Sequence, residues 1–232
     1  MTIFYQNSIQ GDKGTLSEEE SKHCTQVLRH QTGDKILVYD GLGGKYKAIL
    51  TEVSRKSCAF EVLESSVSQK KNFSIHLVIA PTKNMDRMEW LIEKLSEIGV
   101  DVVTFIQTKQ SERRKIRMDR LEKKAISAMK QSGNPFLLQL NSLVSLDSIF
   151  DLIDTEVKLI AHVDQSHKHL GEFVKANKST TILIGPEGDF SLDEVERAKN
   201  AGFQTVSLGE NTLRTETAGL MACCAVNFIN KY

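Results

Sequence analysis

The sequence has little cysteine, and its spacing suits neither a metal site nor a disulfide framework. The four cysteines are Cys24, Cys58, Cys223 and Cys224, and none forms a Cys-x-x-Cys pair. The last two are adjacent in an apolar helical run, where cysteine acts as a small hydrophobic residue. We therefore expect buried free thiols.

The sequence also lacks a long hydrophobic segment and a net charge. No apolar run approaches the length of a membrane span, and the first residues lack the basic region and apolar segment of a signal peptide. We thus expect a cytoplasmic protein with no membrane partner. Because 30 Lys and Arg balance 30 Asp and Glu, a nucleic-acid partner must be held by a local basic surface.

Several common catalytic motifs are missing. A P-loop requires Lys and Ser or Thr after its last glycine, but Gly185-Pro-Glu-Gly188 is followed by Asp189. There is no Gly-x-Ser-x-Gly nucleophile elbow. His162, His167 and His169 are close in sequence, but no carboxylate or cysteine completes a ligand spacing, so we expect no metal.

The one strong charge asymmetry lies at residues 109–130. This segment has nine lysines and arginines and three acidic residues. A solvated helix face is the usual explanation of a charge run, but in a neutral chain this excess favours phosphate binding. We interpret the segment as a candidate RNA-binding surface.

Two regions with different patterns divide the chain. Residues 1–68 consist mainly of short alternating strands with one helix opened by Ser17, which predicts a small β-barrel domain. Residues 64–72 are polar and aperiodic, as in a linker. From 73 to 232, five short apolar runs alternate with helical segments, which predicts an α/β domain with a mostly parallel sheet. In the first of these helices, Asp86 and Arg87 are expected to face away from the core.

Two glycine loops follow strands near the carboxyl end of the chain. Residues 185–188 follow the run at 180–184, and residues 208–214 follow the run at 205–208. Because the carboxyl ends of parallel strands share one sheet edge, the loops can converge on one small ligand. Arg214 and Glu216 then add a cation and a carboxylate to Glu187. The alternatives are ordinary βα turns, and an Arg214–Glu216 pair that is merely exposed to solvent.

The strings Leu183-Ile-Gly-Pro-Glu-Gly188 and Leu208-Gly-x-x-x-Leu-Arg-Thr-Glu-Thr-Ala218 closely resemble the RsmE family of bacterial 16S rRNA (uracil-N3)-methyltransferases. The resemblance continues through Leu95–Val100 and Val27–His30, and so spans nearly the whole chain. It implies a PUA-like barrel at 1–68 and a SPOUT domain at 73–232 with a C-terminal deep trefoil knot. It also implies S-adenosylmethionine as cofactor, small-subunit rRNA near its decoding region as substrate, and a homodimer.

The resemblance assigns roles to individual residues. For the reaction itself, our hypothesis is that Arg214 stabilises the developing uracil anion, with Glu216 or Glu187 orienting it or accepting the proton. The implied cofactor-binding residues are Ala161, His162, Ile184, Gly185, Pro186, Glu187, Gly188, Leu208, Gly209, Leu213 and Arg214. The RNA-binding candidates are Arg29, His30, Lys83, Arg113, Arg114, Lys115 and Arg117.

The chain departs from the family pattern at two positions. Asp189 stands where the family often has glycine, and Asn134 stands where it often has arginine. Two other functions stay open from the sequence: a knotted methyltransferase acting on another RNA, and a non-catalytic RNA-binding factor in ribosome assembly. Cofactor binding separates the second from an enzyme.

Overall fold

The computed structural model describes residues 1–9, 11–163 and 168–232, which form two compact units. The first comprises Met1–Lys70 and Ile126–Leu137, and the second comprises Lys71–Ala125 and Leu138–Tyr232. The domain limits 1–68 and 73–232 stay a prediction from sequence. No sequence pattern indicated that the segment 126–137 groups with the first unit.

The first unit contains one five-stranded sheet. Its strands are β1 (Ile3–Tyr5), β2 (Lys13–Thr15), β3 (Lys35–Tyr39), β4 (Gly44–Val53) and β5 (Cys58–Val67), in the order β1-β3-β4-β5-β2. The β1–β3 pair is parallel and the other pairs are antiparallel. The α-helix α1 (Glu18–Lys22) is capped by Ser17, whose hydroxyl accepts from the Glu20 N–H, and it continues into a π-helical turn at His23–Val27.

All four cysteines are free, as the sequence predicts. Cys24 and Cys58 lie in the core of the first unit, and Cys223 is buried in the second. Burial raises the pKa of the Cys24 thiol to about 12 and also raises that of Cys223. These thiols therefore stay protonated and act as core residues.

The second unit is built on a six-stranded sheet in which every pair is parallel. Its strands are β6 (Ile75–Ile79), β7 (Val102–Gln107), β8 (Gln139–Ser145), β9 (Val157–Ala161), β10 (Thr180–Ile184) and β11 (Gln204–Val206), in the order β11-β9-β10-β6-β7-β8. The predicted α/β class and parallel sheet are confirmed. The strand β8 was missed because it is a half-exposed edge strand rich in polar residues.

Helices follow most of these strands. They are α2 (Met85–Glu97), α3 (Met118–Ser132), α4 (Leu146–Leu152), α5 (Leu192–Asn200) and α6 (Thr215–Ile229), with a short 3-10 turn at Leu170–Glu172. α6 lies so close to the sheet that a Cβ on Gly219 would come within 3.1 Å of Ile79 Cδ1. Within the described ranges, no helix combines the length and apolarity needed to cross a membrane.

A hydrogen-bonded polar cluster crosses three strands of the parallel sheet. His76 Nε2 lies 2.8 Å from Thr104 Oγ1, and Asn141 Nδ2 donates to the same oxygen at 2.9 Å. Burial lowers the pKa of His76 to about 4. The imidazole is therefore neutral at physiological pH, with Nε2 able to accept from the Thr104 hydroxyl.

The strand order brings distant parts of the chain to one sheet edge. β10 lies between β9 and β6, and β11 lies on the other side of β9. All are parallel, so the loops after β6, β9, β10 and β11 leave from the same edge. The trefoil knot stays a prediction from the family resemblance.

Candidate functional site

The first glycine loop leaves the fully buried strand β10 and turns tightly into α5. A Cβ on Gly185 would lie 3.1 Å from the ring of buried Phe190, so this turn leaves no room for a side chain. The Asp189 N–H donates to the Pro186 carbonyl at 2.9 Å and closes the turn. Ser191 then caps α5 in the predicted reciprocal box with Glu194.

Asp189 connects this loop to the end of β9. One of its carboxylate oxygens accepts from the Val163 N–H at 2.9 Å and lies 2.9 Å from His162 Nδ1. Its φ of +63° is in the left-handed region, which glycine adopts without strain. The glycine that the resemblance implies here would adopt this conformation without strain but would lack the carboxylate contacts of Asp189.

The second glycine loop leaves β11 and ends at the first turn of α6. The Ser207 hydroxyl donates to the Gly209 carbonyl and accepts from the Gly209 N–H, and Gly209 has a φ of +124°. Arg214 is the N-cap residue of α6, and its carbonyl accepts from the Ala218 N–H at 2.8 Å. Its side chain is exposed and forms no ion pair with any described residue. The guanidinium is therefore available to a ligand.

The two glycine loops and the end of β9 surround one cavity of about 390 Å³, a volume typical of small-molecule sites. Of the predicted cofactor-binding residues, all but Gly188 line it: Ala161, His162, Ile184, Gly185, Pro186, Glu187, Leu208, Gly209, Leu213 and Arg214. Glu210, Asn211 and Thr212 of the predicted loop 208–214 line it too, whereas Val163, Asp189, Ser207, Thr215 and Ala218 line it without having been predicted. Most of these missed residues are direct neighbours of predicted ones.

The three catalytic candidates occupy different positions. Glu187 and Arg214 both line the cavity, whereas Glu216 does not. The Glu216 side chain is only 8% exposed, and its Oε1 lies 3.6 Å from Nε of Arg87 on α2. Its second oxygen, Oε2, is buried and has no hydrogen-bond partner among the described residues. Glu216 is thus paired with Arg87, a residue that the sequence analysis placed on the outer face of α2.

The basic segment 109–130 has fewer unpaired cations in the folded chain than its sequence suggests. Acidic residues outside it pair with three of its cations: Arg120 with Glu89, Lys124 with Glu93, and Lys130 with Glu20. Within the segment, Arg117 forms a two-pronged contact with Asp119. The count overestimated the free positive charge because it could not include acids distant in sequence.

The RNA-binding candidates divide between the two units. Arg29 and His30 belong to the first unit, where Arg29 is exposed and His30 Nδ1 lies 2.9 Å from Asp34. In the second unit, Arg114 and Lys115 are exposed, and Lys83 pairs with Glu112 at 3.1 Å. Arg113 Nε instead donates to the Thr82 carbonyl at 2.9 Å, so this side chain supports the loop after β6.

No group of three or more metal-ligating side chains is found in the part of the chain that the structure describes. His169 caps the short helix at Leu170–Glu172, and His162 lies beside Asp189. The third histidine of the sequence cluster, His167, lies outside the described residues. The expected absence of a metal therefore stays a prediction.

Comparisons with known proteins match this architecture. The family model of an RNA methyltransferase domain matches residues 69–227, and that of an RNA methyltransferase PUA domain matches 16–63. A crystal structure of a probable rRNA-methyltransferase from Porphyromonas gingivalis is 42% identical, with a TM-score of 0.92, and the match covers 100% of this chain and 99% of that one.

Two further relatives carry more specific names. The crystal structure of ribosomal RNA small subunit methyltransferase E from Neisseria gonorrhoeae, bound to S-adenosyl methionine, is 28% identical with a TM-score of 0.89, covering 99% of this chain and 98% of that chain. The protein of the same name from Bacillus subtilis is 26% identical, covering 92% of this chain and 89% of its own length. With an RNA methyltransferase domain and an RNA methyltransferase PUA domain both matched, this chain belongs to the RsmE family of RNA methyltransferases.

Proposed function

We propose that this protein transfers a methyl group from S-adenosylmethionine to N3 of a uridine in 16S rRNA, in the decoding region of the small ribosomal subunit. The observation that carries the proposal is the cavity formed by both glycine loops and the end of β9. The relative from N. gonorrhoeae was crystallised with S-adenosyl methionine and is named for the small-subunit rRNA. The protein acts in the cytoplasm, where this substrate is found.

The residues of the cavity fit such a cofactor. Ala161, Ile184, Leu208, Leu213 and Ala218 give it apolar walls suited to an adenine ring. The glycine loops present backbone N–H and carbonyl groups, which suit the polar atoms of a nucleoside and an amino acid. Neither loop carries the Lys and Ser or Thr of a phosphate-binding motif, and S-adenosylmethionine has no phosphate.

When bound, S-adenosylmethionine supplies a methyl group that is already electrophilic because it is attached to a positively charged sulfur. The protein must then align the acceptor nitrogen and remove its proton. Arg214 lines the cavity with a free guanidinium, and we assign it the stabilisation of negative charge on a uracil carbonyl oxygen. Glu187 is an exposed carboxylate at the cavity and is the candidate proton acceptor.

The acceptor atom determines which RNA conformation can react. Uracil N3 lies on the Watson–Crick edge, so the base must be unpaired or flipped before transfer. Exposed cations such as Arg114, Lys115 and Arg29 are suited to contact the RNA backbone. Such contacts position an RNA, whereas the cavity selects the base.

The proposal is tested by labelled methyl transfer to small ribosomal subunits from cells that lack the gene. Reverse transcription then locates the product, because N3-methyluridine cannot form a Watson–Crick pair. A single new stop at a uridine of the decoding region is the expected result. Label at another atom, or only in another RNA, contradicts the assigned substrate, and failure to bind S-adenosylmethionine contradicts the enzymatic function.

Asp189→Gly is expected to weaken S-adenosylmethionine binding by about tenfold. The substitution removes the bond to the Val163 N–H, and a hydrogen bond to a charged group contributes about 1.5 kcal/mol. Global stability should change little, because glycine relieves the left-handed strain at this position. Titration calorimetry and thermal melting measure the two effects.

Asp189→Asn is the matched control, since asparagine tolerates the left-handed region and retains an acceptor for Val163. It should lose less affinity than Asp189→Gly. If the glycine variant binds as tightly as wild type, the link between the first glycine loop and β9 does not support the cofactor cavity.

Phe228→Glu is expected to convert the proposed homodimer into monomers. Phe228 on α6 is 82% exposed. Met221, which lies two turns earlier on the same face of the helix, is 40% exposed. An apolar stripe on a terminal helix is typical of a protein interface. Light scattering coupled to gel filtration measures the mass, and Leu192→Glu on α5, where the leucine is 77% exposed, is the control. A monomeric wild type contradicts the dimer.

A further inference from the structure

A second cavity adjoins the cofactor cavity. It has a volume of about 390 Å³ and is lined by Lys83, Asn84, Arg87, Glu112 and Glu187. Of these described residues, only Glu187 also lines the first cavity. A group held in the second cavity therefore lies next to a group held in the first, with the Glu187 carboxylate between them.

The loop after β6 forms one wall of this second cavity and is held by several hydrogen bonds. Arg113 donates from Nε to the Thr82 carbonyl at 2.9 Å and contacts the Lys83 carbonyl with a terminal nitrogen. The Thr82 hydroxyl donates to the Asn84 carbonyl at 2.8 Å. The Lys83 N–H donates to Glu187 Oε1 at 3.3 Å, which joins this loop to the first glycine loop. The wall is thus organised without a ligand.

Arg87 is the cation best placed to act on a ligand in the second cavity. Its Nε faces the buried Glu216 carboxylate at 3.6 Å, while 36% of its side chain stays exposed. A guanidinium held on its Nε side keeps terminal N–H groups for another partner. By contrast, Lys83 is 81% exposed and pairs with Glu112, so it lies at the rim.

Glu216 has a feature that a purely structural ion pair does not need. Its carboxylate is 8% exposed, yet Oε2 has no hydrogen-bond partner among the described residues. An unsatisfied buried carboxylate oxygen costs free energy, so the burial of this group calls for an explanation. Its other oxygen, Oε1, faces Arg87, and a carboxylate buried in this way holds Arg87 in one orientation.

We infer that the second cavity receives the uracil base of the target nucleotide, with Arg87 donating to one of its carbonyl oxygens and Glu216 acting as a positioning residue. This inference rests on the proposed function. N3 of uracil is flanked by the O2 and O4 carbonyls, and Arg87 and Arg214 provide one cation from each cavity. Negative charge that develops on the base is then stabilised on both sides of the reacting atom.

The position of Glu187 fits the proton balance of this step. The bond between N3 and the methyl carbon forms as the bond between that carbon and sulfur breaks. The N3 proton passes to the Glu187 carboxylate, which borders both cavities. The products are N3-methyluridine, S-adenosylhomocysteine and a protonated carboxyl group that exchanges its proton with water.

The test compares Arg87→Ala, Arg87→Lys and Glu216→Gln in three measurements. The first is kcat/KM for methyl transfer to small subunits from cells lacking the gene, and the second is the Kd of those subunits with S-adenosylhomocysteine present. The third is the Kd of S-adenosylmethionine from titration calorimetry. Arg87→Ala is expected to lower kcat/KM by about 100-fold, with cofactor affinity unchanged. Arg87→Lys should recover part of the loss, because the charge returns without the planar fork.

Arg197→Ala is the matched control. Arg197 is also partly exposed, at 40%, and is paired with carboxylates, but it lines neither cavity.

Glu216→Gln should lower kcat/KM less than Arg87→Ala and should have no further effect in the Arg87→Ala background, since it acts through Arg87. A structural role of Glu216 would instead lower activity in both backgrounds. If Arg87→Ala lowers the melting temperature, Arg87→Gln replaces it.

The outcomes separate the two proposals. The nucleotide site is overturned if Arg87→Ala is as active as Arg197→Ala. It is also overturned if Arg87→Ala weakens cofactor binding by the same factor by which it lowers kcat/KM. A wild-type protein that transfers no methyl group overturns the proposed function. In that case the subunit Kd of the three variants still decides whether the second cavity holds the nucleotide: a rise of about tenfold for Arg87→Ala supports it, and an unchanged Kd refutes it.

Discussion

Arg214→Ala is expected to lower the rate constant of methyl transfer by about 100- to 1000-fold, the effect of removing one preorganised donor to a developing oxyanion. Cofactor affinity should change by less than about threefold, because the guanidinium is exposed and uncommitted in the described structure. Single-turnover transfer to small subunits gives the rate, and calorimetry with S-adenosylmethionine gives the affinity.

Two further variants define what this result means. Arg214→Lys keeps the positive charge but loses the fork, and so should recover only part of the rate. Arg197→Ala, which removes a partly exposed arginine from α5, should transfer at the wild-type rate. Unchanged turnover in Arg214→Ala refutes the catalytic role, and a large loss of cofactor affinity assigns Arg214 to cofactor binding instead.

Acidification from pH 6.5 to 4 is expected to remove about 3 kcal/mol of stability through His76 alone. Burial holds the pKa of His76 at about 4, below its ordinary value of 6.5. The unfolded chain therefore binds a proton that the folded chain does not, so the stability that His76 retains above pH 6.5 is lost as the pH falls towards 4. Urea unfolding at pH 7, 5.5 and 4.5 measures this loss.

The His76→Gln variant isolates this contribution from that of the carboxylates. Glutamine can still bond to the Thr104 hydroxyl, but it does not titrate, so its stability should fall less steeply with acid than that of wild type. Equal slopes for His76→Gln and wild type refute the prediction.

The parallel sheet could be predicted because its central strands are uninterrupted apolar runs. β10 is buried at every position, as expected for a strand covered on both faces. β8 could not be found in the same way, because an edge strand needs no apolar run and this one is half-exposed. Periodicity detects burial and is therefore weakest at the edge of a sheet.

Sequence reasoning predicted which loops surround the cavity but not the contacts of the charged residues near it. Loops after parallel strands share an edge, so the convergence of residues 185–188 and 208–214 follows from topology alone. The partner of Glu216, by contrast, is Arg87, which is 129 positions earlier in the chain. Helical periodicity indicates which face is apolar, but it does not indicate which distant element covers the polar face. The basic segment was overestimated for the same reason, since Glu89 and Glu93 neutralise it from α2.

The position of β10 between β6 and β9 has a consequence for the newly synthesised chain. During translation, β6 can pair early with β7, but it emerges about a hundred residues before β10, its neighbour on the other side. The sheet cannot close around its centre until residue 184 has left the ribosome, and the cofactor cavity must also wait for Ala218. A nascent chain therefore has no binding site while it is still short, and late pairing between distant strands makes folding slow. An enzyme proposed to modify ribosomes thus cannot form this cavity until residue 218 has been synthesised.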